Sequence, residues 1–222
     1  YTPRYTDLML PNIFGEGARP DYNNVTATFI DRIISGQRPE INSDGQVPLL
    51  HAGEAVETAI AAAVDGLTGV IAPAGRRMSV SDLFDTLSKF HSDYLRNLFP
   101  DLTDPFDLAL FNSYRSALYP DAFPLPLKLN TDPRGTLFEA SKGGGGGQTF
   151  LSWTHPGVTR GNHFHLRKVE RFLVLEGEAL IRMRRVLGDR VWEYRVSGSN
   201  PAPIDMPTLH THSIQNIGDR PL

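Results

Sequence analysis

In the first half of the chain, apolar residues recur at the three- and four-residue intervals of amphipathic helices. Ser79 and Asp104 each precede such a run, and both are residue types that cap helix N-termini. Gly36 and Gly66 follow two of the runs and are typical helix stops. The pattern therefore predicts helices over 25–34, 54–64, 80–95 and 105–114.

Short apolar runs predict strands in both halves. In the first half they lie at 8–10, where a buried strand is expected, and at 47–50 and 67–72. The segment 11–24 is rich in Pro, Gly and Asn and is expected to be a loop. After Pro120, turn residues separate candidate strands at 149–153, 170–175, 179–186, 190–196 and 202–206. Several short strands at close spacing are typical of a small barrel or sandwich.

This change of pattern predicts an α+β chain with a mostly helical part, 1–120, and an all-β part, 121–222. Prolines at 120, 124 and 126 predict a stiff connector between them. A length of 222 residues suits one large domain or two small ones. The chain opens at Tyr1 without an initiator Met, and both ends are expected to be cut from something longer. The five glycines at 143–147 predict a flexible loop.

Composition and charge exclude several classes of function. The absence of cysteine excludes disulfides and thiolate metal sites. A net charge of -3 gives no reason to expect a nucleic-acid partner. No apolar run reaches the roughly 18–20 residues needed to span a bilayer, and no signal peptide is visible. The expectation is a cytoplasmic protein without a membrane partner.

Five of the seven histidines lie between His155 and His212. His163 and His165 are two residues apart, so in a strand both side chains would point to the same face. Glu170 opens the next apolar run, and His212 would come from a third strand. Three imidazoles and one carboxylate suit Zn, Ni, Mn or Fe(II), so the sequence predicts a divalent metal site.

The full arrangement resembles the two signature segments of the cupin family. The first is HxHx4E with a glycine seven residues after the glutamate, and the second runs from Pro207 to Asn216 with a histidine between them. The resemblance covers about 149–218 and implies a double-stranded β-helix, or jelly roll. Leu209 stands where the second segment usually has glycine, and His210 shares the alternation with His212. By the resemblance, the metal ligands are His163, His165, Glu170 and His212.

A narrower resemblance links the chain to capsule-synthesis enzymes. Residues 130–135 resemble the opening of nucleotide-sugar 3,5-epimerases, which are also cupins. Segments 156–165, 168–174 and 194–198 look like the cupin half of bifunctional UDP-sugar epimerase/reductases of the CapF type. That family carries an N-terminal extended short-chain dehydrogenase/reductase (SDR) domain.

The first half looks like the C-terminal remnant of such an SDR domain. The resemblance lies in segments 10–15, 19–25 and 49–56. It implies that Asn12 contacts the cofactor and Asn24 the UDP-sugar. No GxxGxxG follows a strand and no YxxxK is present, so NADPH is expected only in the complete parent protein.

The resemblance implies a two-step conversion of a UDP-linked 4-keto-6-deoxy-N-acetylhexosamine. The cupin part would epimerise C3, and the parent SDR part would reduce C4 with NADPH. The product would be the UDP-N-acetyl-L-fucosamine used in capsule or O-antigen. Zinc is the expected metal, and a homodimer is expected by analogy.

Epimerisation at C3 needs a base on one face of the sugar and an acid on the other. Arginines on one strand could grip the diphosphate bidentately. A non-catalytic cupin module that binds the sugar nucleotide or dimerises the parent enzyme, and an Fe(II) oxygenase, remain alternatives. The candidate catalytic residues are His210, Lys168, His155 and Tyr194, and the candidate diphosphate ligands are Arg182 and Arg184.

Overall fold

The computed structural model describes residues 5–41 and 45–222. They form two compact units. One comprises the described residues up to Pro126 together with Ser141–Gln148, and the other comprises Leu127–Ala140 and Thr149–Leu222. Helices and strands are both present, which confirms the predicted mixture of helical and strand-rich parts. No helix in these ranges combines the length and apolar character that crossing a membrane requires.

The described part of the first unit contains the four predicted helices. Each begins at a residue whose side chain accepts a hydrogen bond from a backbone N–H of the first turn: Asn24, His51, Ser79 and Asp104. The predicted helices are thus confirmed, with ends shifted by up to four residues. Their bounds are α1 Val25–Ile34, α2 Ala52–Val64, α3 Val80–Tyr94 and α4 Pro105–Leu118.

Six short strands accompany these helices within the described residues. They are β1 Thr6–Leu8, β2 Asn12–Phe14, β3 Gln46–His51, β4 Gly69–Ile71, β5 Arg76–Ser79 and β6 Leu98–Phe99. The strands β1 and β4 pair in parallel, and β3 lies between β2 and β5. The predicted loop at 11–24 is wrong in part, because β2 pairs with the distant β3 despite its turn-rich surroundings. The buried strand predicted at 8–10 is also wrong, since Met9 and Leu10 follow β1 and are 61% and 42% exposed.

The core of the first unit lies between α1, α3 and α4 and extends to β2 and β3. Leu83, Leu87 and Leu110 are completely buried. Around them the rings of Tyr94 and Phe111 meet edge to face with centroids 5.5 Å apart, a favourable geometry for aromatic pairs. The apolar spacing that predicts the helices therefore also identifies their buried faces.

The second unit is built from strands. They are β7 Asn130–Asp132, β8 Gly135–Gly143, β9 Gln148–Thr154, β10 Thr159–His163, β11 Glu170–Phe172, β12 Glu178–Arg185, β13 Val191–Ser197, β14 Ile204–Met206 and β15 His210–Asn216. An antiparallel sheet has the order β10-β15-β12-β13, and β11 pairs with β14. All five predicted strands are present, several with shorter bounds. The glycine run forms the turn between β8 and β9, and the last residues of β8, which belong to the first unit, pair with β6.

One face of the four-stranded sheet positions the candidate site, and we call it the inner face. It is the face of β12 that carries the buried side chains of Ile181 and Met183. Directly paired residues of neighbouring strands share a face. Met183 is opposite both His212 and Trp192, so these side chains lie on the inner face as well. Met206 of β14 completes the small apolar cluster behind them.

Candidate metal centre

Three histidines and one glutamate converge at one end of the inner face. One potential ligand atom from each lies within 4.8 Å of those of the other three, and the four are His163, His165, Glu170 and His212. The ring centroids of His163 lie 4.7 Å from His212 and 4.9 Å from His165. Glu170 Oε2 lies 3.0 Å from His165 Nε2 and 2.9 Å from His212 Nε2. The structure thus brings together the four residues that the sequence selected.

A bulge in β10 places His163 in this cluster. Gly161 pairs with Ser213 and His163 pairs with His212, so Asn162 is the extra residue. Gly161 has φ +98°, and a Cβ there would lie 2.8 Å from the His212 carbonyl oxygen. The predicted placement of both histidines in one strand is wrong, since His163 ends β10 and His165 lies in the loop that follows.

Leu209 fastens the loop that carries His165. Its N–H donates to the His165 carbonyl at 2.9 Å, and its carbonyl accepts from the Val186 N–H at 2.8 Å. Leu209 has φ +58°, in the left-handed region that favours glycine. The chain therefore adopts at 209 the conformation expected for the glycine that usually stands there, and it does so with leucine.

The local electrostatics favour the metal-binding form of each group. Burial lowers the pKa of His212, against the hydrogen bond to the His210 carbonyl and the charge of Glu170. Burial opposes ionisation of Glu170, but the charges of Lys168, His212 and His165 outweigh it and hold its pKa below the usual value. A neutral imidazole and an ionised carboxylate are the forms that bind a metal.

The surroundings of His212 Nε2 indicate whether a cation fits the cluster. This nitrogen is completely buried and makes no hydrogen bond with the described residues, although Glu170 Oε2 lies 2.9 Å away. Since Nδ1 donates to the His210 carbonyl, Nε2 of the neutral ring carries a lone pair and has no proton to give the carboxylate, but both atoms are near enough to share a cation. Leaving a buried nitrogen unsatisfied is costly, and a cation on the ring lone pair removes that cost. The cluster is compatible with a metal site.

Comparisons with known proteins show what this chain is similar to. Residues 130–222 match the family model of the polysaccharide biosynthesis C-terminal domain. The chain is 32% identical over 213 residues to the UDP-2-acetamido-2,6-beta-L-arabino-hexul-4-ose reductase of Pseudomonas aeruginosa, covering 94% of this chain and 57% of the relative. A crystal structure of CapF with the inhibitor 3-isopropenyl-tropolone superposes with a TM-score of 0.87 at 34% identity, over 96% of this chain and 63% of that one.

The chain is a homologue of CapF. A second CapF structure, of the capsular polysaccharide assembling protein from Staphylococcus aureus, has a TM-score of 0.84 at 33% identity, covering 96% of this chain and 59% of that one. The predicted resemblance to the CapF type is confirmed. The chain therefore has relatives in nucleotide-sugar biosynthesis, and it spans 57–63% of the length of these three relatives.

Of the predicted catalytic residues of this CapF homologue, one contacts the cluster and another lies on the inner face of the sheet. Lys168 Nζ lies 3.5 Å from Glu170 Oε1, and its side chain is 43% exposed. Tyr194 is opposite Ile181 on β12, so it lies on the inner face two residues along β13 from Trp192. Lys168 thus contacts a member of the cluster, whereas Tyr194 shares only the inner face with it.

The other two catalytic candidates lie outside the cluster. His210 Nδ1 donates to the Thr208 carbonyl at 2.9 Å, and its ring lies 6.2 Å from that of Trp192. His155 is exposed in the turn between β9 and β10, and its N–H donates to the Arg134 carbonyl at 3.0 Å. The structure gives neither ring a contact with the four clustered residues.

The predicted diphosphate ligands lie on the opposite side of the sheet. Arg182 and Arg184 flank Met183, so strand alternation directs both away from the inner face. Arg182 donates to Glu193 at 2.7 Å and to Gln215 at 2.9 Å. The alternation of apolar and basic residues was visible in the sequence, but only the strand register shows which face carries the cluster.

Asn12 and Asn24, the predicted cofactor and substrate residues, lie in the first unit. Asn24 Oδ1 accepts from the Ala27 N–H at 2.9 Å, and Nδ2 donates to the Ile13 carbonyl at 3.1 Å. The amide thus caps α1 and fastens it to β2. Asn12 is exposed at the start of β2. The structure shows a structural use for Asn24, and the ligand roles of both residues stay predictions.

Sequence reasoning passed over two residues at the other end of the row that contains His212, namely Arg190 and Trp192. Arg190 stacks over Trp192, with its guanidinium carbon 5.2 Å from the ring centroid. The available signal was the alternation of Trp192 with Tyr194, which places both aromatic rings on one strand face. The alternation alone does not show that this face is the one that carries the cluster. The pairing of Met183 with Trp192 on one side and His212 on the other shows it.

Proposed function

We propose that the second unit is a zinc-dependent sugar-nucleotide epimerase of the cupin type. Its substrate would be a UDP-linked 4-keto-6-deoxy-N-acetylhexosamine, inverted at C3. The convergence of three imidazoles and one carboxylate within 4.8 Å carries the proposal. The name of the Pseudomonas aeruginosa relative, which specifies a hexul-4-ose linked to UDP, supports a 4-keto sugar nucleotide.

The fit of the donor set supports zinc. Three imidazole nitrogens and one carboxylate oxygen match the ligands that zinc prefers, and they leave room for a ligand from the substrate. The cation would be held by His163, His165, Glu170 and His212. When bound, it supplies a Lewis acid for the 4-keto oxygen, which makes the neighbouring C3 proton more acidic.

The protein's own side chains would move the proton. We assign the base to Lys168 Nζ in its neutral amine form, because this nitrogen contacts the cluster through Glu170 at 3.5 Å. Tyr194 Oη would return a proton from the other face of the sugar, since this side chain projects from the inner face and is 38% exposed. His210 is less suited because its Nδ1 is committed to Thr208, and His155 is less suited because it lies in an exposed turn.

The complete parent protein would carry out the second step. There an SDR domain with bound NADPH would reduce C4 of the epimerised sugar, towards UDP-N-acetyl-L-fucosamine for capsule or O-antigen. The curated relative is named as a reductase, and the CapF of Staphylococcus aureus is described as a capsular polysaccharide assembling protein. We extend the proposal to a cytoplasmic homodimer, as expected for cupins and extended SDR enzymes.

Isotope exchange tests the epimerase. Zinc-loaded protein is incubated with the UDP-linked 4-keto sugar in deuterated water, and the sugar is followed by NMR. We expect solvent deuterium at C3 and appearance of the C3 epimer, with both lost in His163→Ala and slowed at least a hundredfold in Lys168→Ala. Zinc-loaded protein that binds the sugar without exchange would support a non-catalytic binding module instead.

A further inference from the structure

Arg190 stacks on Trp192, whose side chain lies on the inner face in the same row as His212. Its guanidinium carbon lies 5.2 Å from the centroid of the Trp192 ring, and the ring of His210 lies 6.2 Å from the same indole. Among residues 5–41 and 45–222, no carboxylate pairs with Arg190. An arginine that stacks on an aromatic ring keeps the edge of its guanidinium free to donate hydrogen bonds.

The strand register fixes the position of this arginine relative to the cluster. Met183 pairs with Trp192 on one side and with His212 on the other, so the three form one row on the inner face. Trp192 and His212 are therefore two strand spacings apart, roughly 10 Å. A hexose together with its attached diphosphate is long enough to bridge such a gap. The metal centre and Arg190 are thus spaced to hold two ends of one ligand.

The charges around Arg190 favour an anion. Arg185 is opposite His210 in the β12–β15 pair, so it lies on the same face in the row next to Trp192. The nearest acidic residue on β13, Glu193, lies on the opposite face, where it accepts a hydrogen bond from Arg182. Asp189 precedes Arg190 in the turn and forms no ion pair among the described residues. Two cationic side chains, those of Arg185 and Arg190, therefore lie close to Trp192.

We propose that Arg190, held on Trp192, binds the diphosphate of the sugar nucleotide while the sugar reaches the metal centre. The proposal rests on the proposed function for the identity of the ligand. A guanidinium donates two parallel hydrogen bonds to a phosphate, and stacking on Trp192 fixes its plane before the ligand arrives. This role replaces the one that the sequence suggested for Arg182 and Arg184, which face the other side of the sheet.

Tryptophan fluorescence provides a direct test, because the chain contains two tryptophans. Trp153→Phe leaves Trp192 as the reporter and preserves the ring contact of residue 153 with Phe138. This protein is titrated with UDP and, separately, with uridine and inorganic phosphate. We expect UDP to change the Trp192 emission with saturation, phosphate to do so more weakly, and uridine not to do so in the same range.

Two further variants in the Trp153→Phe background complete the test. We expect Arg190→Gln to weaken UDP binding about tenfold or more, as for loss of a charge-assisted hydrogen bond. Arg195→Gln makes the same charge change on the opposite face of β13 and should leave UDP binding unchanged. Equal affinity for uridine and UDP would overturn the proposal. So would an equal loss of UDP affinity in Arg190→Gln and Arg195→Gln.

The metal centre must be tested separately, because a diphosphate also binds zinc. We expect UDP to keep its affinity within about threefold in His163→Ala. Loss of the Trp192 signal in that variant would show that UDP binds the metal and would overturn the assignment to Arg190.

Deuterium exchange at C3 with an unchanged KM for the sugar nucleotide in Arg190→Gln would also overturn the assignment while leaving the epimerase intact. Arg190-dependent UDP binding without any exchange would instead remove the epimerase and leave the diphosphate site.

Discussion

His163 and His212 are direct partners across the β10–β15 pair, with ring centroids 4.7 Å apart. They become partners only because Asn162 bulges out between Gly161 and His163. Without that extra residue the strand alternation would turn the side chain of His163 to the other face. The geometry of the candidate metal centre therefore depends on one irregularity of the backbone.

The first prediction concerns metal content. Protein purified without chelator should contain about one zinc per chain. His163→Ala should lose most of it, because mutation of a residue that only supports a metal ligand already lowers the metal affinity about 10–100-fold, and loss of a ligand should lower it at least as much. Elemental analysis after dialysis measures this. His155→Ala, a histidine outside the cluster, is the control and should keep its zinc. Equal metal loss in both variants would contradict the assignment.

The second prediction concerns the bulge. Gly161→Ala should destabilise the second unit by roughly 2–3 kcal/mol, because the added Cβ meets the His212 carbonyl and the positive φ is strained. Gly157→Ala is the matched control, since it has φ +76° but no heavy atom within 4 Å of the added Cβ. It should cost about 1 kcal/mol. Urea unfolding compares the two, and equal costs would show that the close approach to His212 is unimportant.

The third prediction concerns Leu209. Leu209→Gly should leave the stability unchanged or raise it by up to about 1 kcal/mol, because glycine relieves the positive φ at a residue that is 49% exposed. Leu173→Gly, at a similarly exposed leucine without positive φ, should instead lose about 0.5–1 kcal/mol. Thermal unfolding of both variants checks the difference. Destabilisation of Leu209→Gly to the extent of Leu173→Gly would contradict the strain argument.

The fourth prediction concerns pH in metal-free protein. The pKa of His212 is lowered on folding by burial, and that of Glu170 is lowered by neighbouring positive charge. As pH falls from about 7 to 5, the unfolded chain therefore takes up more protons than the folded one, and the free energy of unfolding falls. Urea unfolding at several pH values measures the slope. His212→Asn should flatten it, and an unchanged slope would rule out this histidine as a cause.

The fifth prediction concerns Asn24. Asn24→Ala removes both the cap of α1 and the hydrogen bond to Ile13, and should cost about 1–2 kcal/mol. Asn24→Asp keeps the capping oxygen and should lose less. Chemical unfolding of the two variants measures the order. A cost near zero for Asn24→Ala would leave substrate binding as the better explanation for this asparagine.

The sequence predicted local features better than distant pairings. The helix α1 has the predicted bounds because its apolar spacing and its glycine stop are local signals. In contrast, β2 and β8 were missed. Their own sequences mix polar and apolar residues without a strand pattern, and they are strands because β3 and β7 pair with them. The four clustered residues were found from their resemblance to the cupin signature segments, whereas the roles of Arg182 and Arg190 required the register of β12 and β13.

Leu209 joins three turns of the second unit through its backbone alone, since its N–H reaches His165 and its carbonyl reaches Val186. Its side chain takes no part in these bonds. A mutant library could therefore sample many residues at this position, with glycine and asparagine suiting the backbone best. Such a library would alter the surface next to the histidines while the loops that carry them stay fastened.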